Sequence, residues 1–189
     1  MIKQNNKTIF AVLIMLMLMI VTRGGNFSFS FVHLPDFTIP AMLIAGVYFR
    51  QFWVAFVLIF SAVAIDNYAI IHQGISANCI TPAYSILPLT FYGVFWSGKY
   101  IRLVIDSNIG KNVLLIIASV SIQWLLATGS YYFFTKAFST TGWSNFPAYA
   151  SQWSLVEIPS VLYWMLAIII TFTLVPRIIN TLNLGSSAR

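Results

Sequence analysis

Charged side chains are too few and too scattered in this chain to cover a water-facing globule. Only 7% of the 189 residues are charged and 59% are hydrophobic, against about 25% charged in soluble domains. The mean hydropathy is +0.86. The apolar residues fall in runs separated by short polar connections. A membrane-crossing helix takes about 20 mainly apolar residues. The length therefore allows about six crossings and leaves no room for a separate soluble domain. The expected fold class is an all-α integral membrane bundle of six helices in one domain over 1–189.

The runs predict helices over about 8–21, 38–49, 52–71, 81–100, 112–134 and 154–174. The first could be taken for a signal peptide. Val21-Thr22-Arg23-Gly24 fits a cleavage site poorly, so a retained first helix is expected. The connection after it holds Arg23, His33, Pro35 and Asp36. Its Phe27-Ser28-Phe29-Ser30-Phe31 alternation reads as a short strand or an amphipathic lid. The second helix is short, with Pro40 near its start, and Arg50-Gln51 breaks the pattern after it. Thr81-Pro82 is a helix-start signature, a hydroxyl cap followed by a proline that needs no N–H. Ser154 and Glu157 have the spacing of a capping box for the sixth helix.

The basic residues set an orientation. With the N-terminus inside, Lys3, Lys7, Arg50, Lys99, Arg102, Lys111, Arg177 and Arg189 fall on the cytoplasmic side, and only Arg23 and Lys136 fall outside. That is the asymmetry of the positive-inside rule. It places the richer connections outside, around His33, Cys79 and Trp143. Lys and Arg occur singly between apolar runs, so the net charge of +6 reads as a topology signal and not as a nucleic-acid surface. No Walker loop, HExxH zinc motif or serine triad occurs. No inverted repeat is evident either.

The chemistry gathers between Asp66 and Tyr84. Cys79 is the only cysteine, which excludes an intrachain disulfide, CxxC redox motifs and multi-thiolate zinc sites. It stands just ahead of the Thr81-Pro82 helix start, where the positive helix end favours thiolate. A soft thiolate suits a transition metal; the plain alternative is a small buried apolar residue. Asp66 is a carboxylate near the membrane, hence a functional candidate, or else a partner for Arg23. Tyr84 and Tyr68 could offer hydroxyls to a ligand or belong to an interfacial belt. His33 and His72 could join Cys79 in a mixed metal site or be solvated loop residues. Trp143 and Trp153 could cover a large flat ligand.

In length, helix count, inside N-terminus and three outer connections, the chain resembles the S-components of energy-coupling-factor (ECF) vitamin transporters. The Asp66, Cys79, Tyr84 constellation with His33 resembles the BtuM group, small proteins of vitamin B12 uptake. The resemblance implies a bacterial cytoplasmic membrane protein that binds cobalamin from outside. Cys79 would be the axial ligand to cobalt, and Asp66, Tyr84 and His33 would line the site, with Tyr68 a further substrate-binding candidate from its position. The first, third and fifth connections would close over the vitamin. Displacement of an upper cyanide ligand (decyanation) would be a chemical activity beside transport. One departure concerns partners. S-components that dock on a coupling module carry small residues one turn apart in the first helix. Here no AxxxA precedes Thr22, and the Ala41–Ala45 pair lies in the second helix. Two alternatives stay open. One is a binding subunit for another vitamin, with Cys79 structural. The other is a membrane enzyme with Cys79 as nucleophile and His72 as base.

Overall fold

The computed structural model describes residues 2–23, 35–73, 82–104, 109–135 and 142–169. Among them every regular element is helical. In chain order these are α1 (Ile2–Arg23), α2 (Thr38–Tyr48), α3 (Phe52–Gln73), a 3-10 turn (Pro82–Ser85), α4 (Ile86–Val104), α5 (Ile109–Phe134) and α6 (Phe146–Ile169). The Phe27–Phe31 alternation, His33 and Cys79 lie outside the described residues.

The short helix α2 is the centre of the packing. It is apolar all round, and such a helix is buried. Ala41, Met42, Leu43 and Ala45 are at most 2% exposed. Met19 of α1, Val54 and Leu58 of α3, and Val94 and Phe95 of α4 close around it. The Ala41–Ala45 pair is thus used inside the bundle and is not presented to a partner. Against α4 the backbones themselves touch. A Cβ on Gly98 would stand 2.6 Å from the Leu43 carbonyl oxygen, and one on Gly46 would overlap the Phe95 carbonyl oxygen. Glycine is required at both places because no other residue lets the two helices come this close.

α2 stops where the sequence pattern breaks. Phe49 and Arg50 both donate their N–H to the Ala45 carbonyl, at 3.0 and 3.1 Å. Arg50 has a left-handed backbone with φ 56°, a position that glycine fills without strain. Arg50→Gly should therefore raise stability by about 0.5–1 kcal/mol, read as a higher unfolding midpoint in detergent.

Two helix starts differ from expectation. The helix expected from Thr81 is split into the 3-10 turn and α4. Pro88 is the reason. A continuous α-helix would require its N–H to meet the Tyr84 carbonyl, and proline has none. α6 starts at Phe146 and not near Ser154. Asn145 and Pro147 form the start signal there, a side chain suited to capping and a proline in the first turn. Ser154 lies inside the helix and donates to the Ser151 carbonyl at 2.8 Å, so it caps nothing.

Among the described residues, two helical stretches, Phe52–His72 and Val113–Phe134, are long and apolar enough to cross a membrane. Only 28% and 22% of their most apolar windows is buried, whereas the core helix of a soluble domain would be mostly covered. Phe56 and Phe60 on α3, Phe10 and Met17 on α1, and Leu114 on α5 all point outward.

Candidate functional site

A polar cluster at one end of the bundle joins five segments. It starts at the C-terminus of α1. Thr22 donates its hydroxyl to the Leu18 carbonyl at 2.8 Å and accepts the Phe37 N–H at 3.0 Å. This seats residues 35–37 on the end of α1. Asp36 then prepares the start of α2: its Oδ1 accepts the Thr38 N–H at 2.9 Å and the Thr38 hydroxyl at 2.7 Å. A carboxylate at a helix N-terminus is favoured by the helix dipole.

Arg23 occupies the middle. Its Nε and Nη2 donate to Asp66 Oδ1 and Oδ2 at 2.7 and 2.8 Å, a bidentate fork. Its Nη1 donates to Asp36 Oδ2 at 2.6 Å and to Thr38 Oγ1 at 3.1 Å. The guanidinium also lies over the Phe91 ring, 5.5 Å from its centroid, a cation–π contact. Arginine suits this place because its planar fork matches a carboxylate and its remaining N–H groups reach elsewhere. The Arg23 side chain is 12% exposed, against 21% for Asp66 and 44% for Asp36. One cation faces two carboxylates, and the surplus negative charge lies at the more exposed Asp36.

Tyr84 closes the cluster from the 3-10 turn. Its hydroxyl donates to Asp66 Oδ2 at 2.5 Å. Asp66 and Tyr84, expected to belong together, are thus in direct contact. Asp66 accepts three hydrogen bonds from Arg23 and Tyr84, so what it does in this arrangement is tie α1, α3 and the 3-10 turn together. The partnership of Asp66 with Arg23 is the one that the sequence left open. Trp164 of α6 adds a fifth segment: its Nε1–H donates to the Pro35 carbonyl at 2.8 Å, and its ring meets Phe37 edge-on at 4.8 Å.

The other expected site residues lie apart. Tyr68 is two residues beyond Asp66, hence on another face of α3. It is half-exposed, with its ring centroid 4.6 Å from that of His72. Trp143 is exposed and rests on Phe133 at 4.5 Å. Cys79 and His33 lie outside the described residues, in the connections 74–81 and 24–34. The elements that flank both connections contribute to the cluster. Arg23 and Asp36 flank the first, and Asp66 and Tyr84 belong to the two elements that flank the second. Among the described residues no three His, Cys, Asp or Glu side chains are grouped to hold a metal ion.

Sequence reasoning passed over Asp36 and Thr38, whose signal is a carboxylate two residues before a helix start. It also passed over Gln123, the one amide inside the apolar run 113–134. No protein-family model matches the sequence, and no curated protein matches it significantly.

Proposed function

We propose that this chain is a multi-pass protein of the bacterial cytoplasmic membrane, N-terminus inside, that binds cobalamin from the outer side for uptake. The membrane part of this reading draws on three things: the outward-pointing aromatic and aliphatic side chains, the two helices of spanning length, and the distribution of Lys and Arg. An apolar outer surface of this extent is stable in lipid and not in water.

The observation that carries the ligand reading is the Arg23, Asp66 and Tyr84 tie. It draws the elements flanking the His33 connection and the Cys79 connection to one end of the bundle. The elements on either side of two of the three segments expected to meet the vitamin are therefore tied to each other. In this reading Asp66 and Tyr84 maintain this tie, and Cys79 supplies the chemistry. Trp143 offers an exposed flat face from the third connection.

The reaction is a ligand exchange at the cobalt of the substrate. The Cys79 thiolate donates a lone pair to one axial position and displaces the base or water held there. Donation from sulfur weakens the bond to the opposite ligand. Cyanide in that position leaves as the anion with its electron pair. Cobalt keeps its oxidation state, and the thiolate balances the departing negative charge. A coupling module, if one is engaged, uses a surface other than the buried Ala41–Ala45 pair.

The test is an absorption spectrum of the purified protein with cyanocobalamin. The expected result is a shift of the visible bands on binding, with free cyanide appearing in the medium. Cys79→Ser should abolish the shift and the cyanide release and weaken binding at least tenfold. A Cys79→Ser protein with the wild-type spectrum and affinity would end the thiolate reading. A colourless protein that takes up no corrinoid would end the cobalamin reading.

A further inference from the structure

The crossing of α2 and α4 brings two basic residues from separate elements to one end of the bundle. A Cβ on Gly98 would stand 3.0 Å from the Gly46 Cα and 3.1 Å from the Val47 nitrogen, so the two backbones meet there. Lys99 follows directly on α4. Arg50 follows on the α2 side, its N–H held by the Ala45 carbonyl at 3.1 Å. Phe52, at the start of α3, closes a third side. Its ring meets Tyr92 of α4 edge-on at 5.8 Å, and Tyr92 stacks on Phe95 at 5.9 Å.

Neither cation is spent within the protein. Among the described residues both ion pairs belong to Arg23, and no carboxylate meets Arg50 or Lys99. The Lys99 ammonium lies over the Phe95 ring, 4.7 Å from its centroid. A helical side chain leans toward the N-terminus of its helix, so the charge lies on the bilayer side of its own backbone. A cation–π contact uses none of the ammonium donors on an oxygen. Arg50 is exposed and has a left-handed backbone, φ 56°. Glycine would serve that turn better, and no contact within the fold accounts for the guanidinium. Strained non-glycine backbone of this kind concentrates at ligand clamps. Exposed aromatic rings flank both cations. Tyr48 and Trp53 stand beside Arg50, and Trp96 and Tyr100 beside Lys99. Tryptophan and tyrosine at the end of a spanning bundle sit at headgroup level.

We infer that this end of the α2–α4 crossing binds the phosphate of an anionic phospholipid, with Arg50 and Lys99 as its cationic contacts and the exposed rings against its acyl chains. Arginine grips phosphate with a planar fork, and lysine adds a point charge. A zwitterionic headgroup brings its own cation and complements the pair less well. The inference rests on the membrane reading proposed above and not on cobalamin. In the proposed orientation the leaflet is the cytoplasmic one. The positive-inside rule orients a chain but gives no residue a partner; here two named residues share one.

The experiment reconstitutes the full chain in phosphatidylcholine liposomes containing a small share of a lipid brominated on its acyl chains, either phosphatidylglycerol or phosphatidylcholine. Bromine quenches nearby tryptophans, and Trp53 and Trp96 report on the site. Wild type should show a preference of about twentyfold for the brominated phosphatidylglycerol, since each cation near a membrane surface contributes about fivefold. Lys99→Gln and Arg50→Gly should each lower the preference about fivefold, and the two together should remove it. Lys99→Arg should keep it. Arg50→Gly is the sharper variant, because it should lose the preference while unfolding at a higher temperature, so damage to the fold is not the cause. Lys3→Gln/Lys7→Gln, which removes two other charges expected on that side, should leave the preference intact. Equal quenching of wild type by both brominated lipids overturns the inference. So does an equal loss in the Lys3→Gln/Lys7→Gln variant, which would mean diffuse attraction. Loss of the preference in millimolar inorganic phosphate also overturns it, since the ligand would then be a free anion. A chain that alkaline carbonate strips from the liposomes overturns the membrane reading itself and the inference with it.

Discussion

Gly46→Ala and Gly98→Ala should each cost about 3 kcal/mol or more, the top of the range for overpacking. The added methyl meets carbonyl oxygens and not the flexible end of a side chain. Local yielding is restricted, because the buried face of α2 packs with residues of α1, α3 and α4. The only relief is a separation of α2 from α4, which opens the core around Met42 and Phe95. Thermal or denaturant unfolding in detergent reads the effect. Gly93→Ala is the control on the same α4: its Cβ would have open space, and alanine gains about 1 kcal/mol over glycine in a helix interior. A Gly98→Ala protein as stable as Gly93→Ala would show that the two backbones do not approach as described.

Arg23→Met should be nearly as damaging, at about 3 kcal/mol, the cost of removing one partner from a largely buried ion pair. Asp66 would lose its fork while still enclosed by Tyr84 and the end of α1. Asp36, more exposed, would lose less. The double variant Arg23→Met/Asp66→Leu should recover most of the stability, because no enclosed charge is then left unpaired. Tyr84→Phe removes one hydrogen bond to a charged group and should cost about 1.5–3 kcal/mol. Equal losses in the single and the double Arg23 variants would mean that the Asp66 carboxylate is not paired as found.

The helical class was legible because lipid-facing and core-facing helices share one composition, which hydropathy detects. The same fact limited the reading. Hydropathy does not say which helix is enclosed, and α2 emerged as the central one only through the tight crossing at Gly46 and Gly98. Helix starts were read from caps, and this worked unevenly. Thr81-Pro82 marked a true start, but Pro88 six residues later moved the α-helix beyond Tyr84. At α6 the Ser154 and Glu157 spacing competed with Asn145 and Pro147, and the earlier signal prevailed. In the candidate site the nearness of Asp66 to Tyr84 was legible, since two polar residues flanking one short connection have few places to go. The position of Arg23 at their centre was named only as an alternative. Its 43-residue separation from Asp66 leaves no local trace.

The hydrogen bond from Trp164 to the Pro35 carbonyl spans 129 positions of the chain, and this bears on the order in which the protein is made. A ribosome releases the first five helices well before the tryptophan emerges. Until α6 arrives, that carbonyl and the Phe37 ring lack their partner. The mouth of the bundle is therefore the last part to be finished during synthesis, although most of its residues come from the first half of the chain.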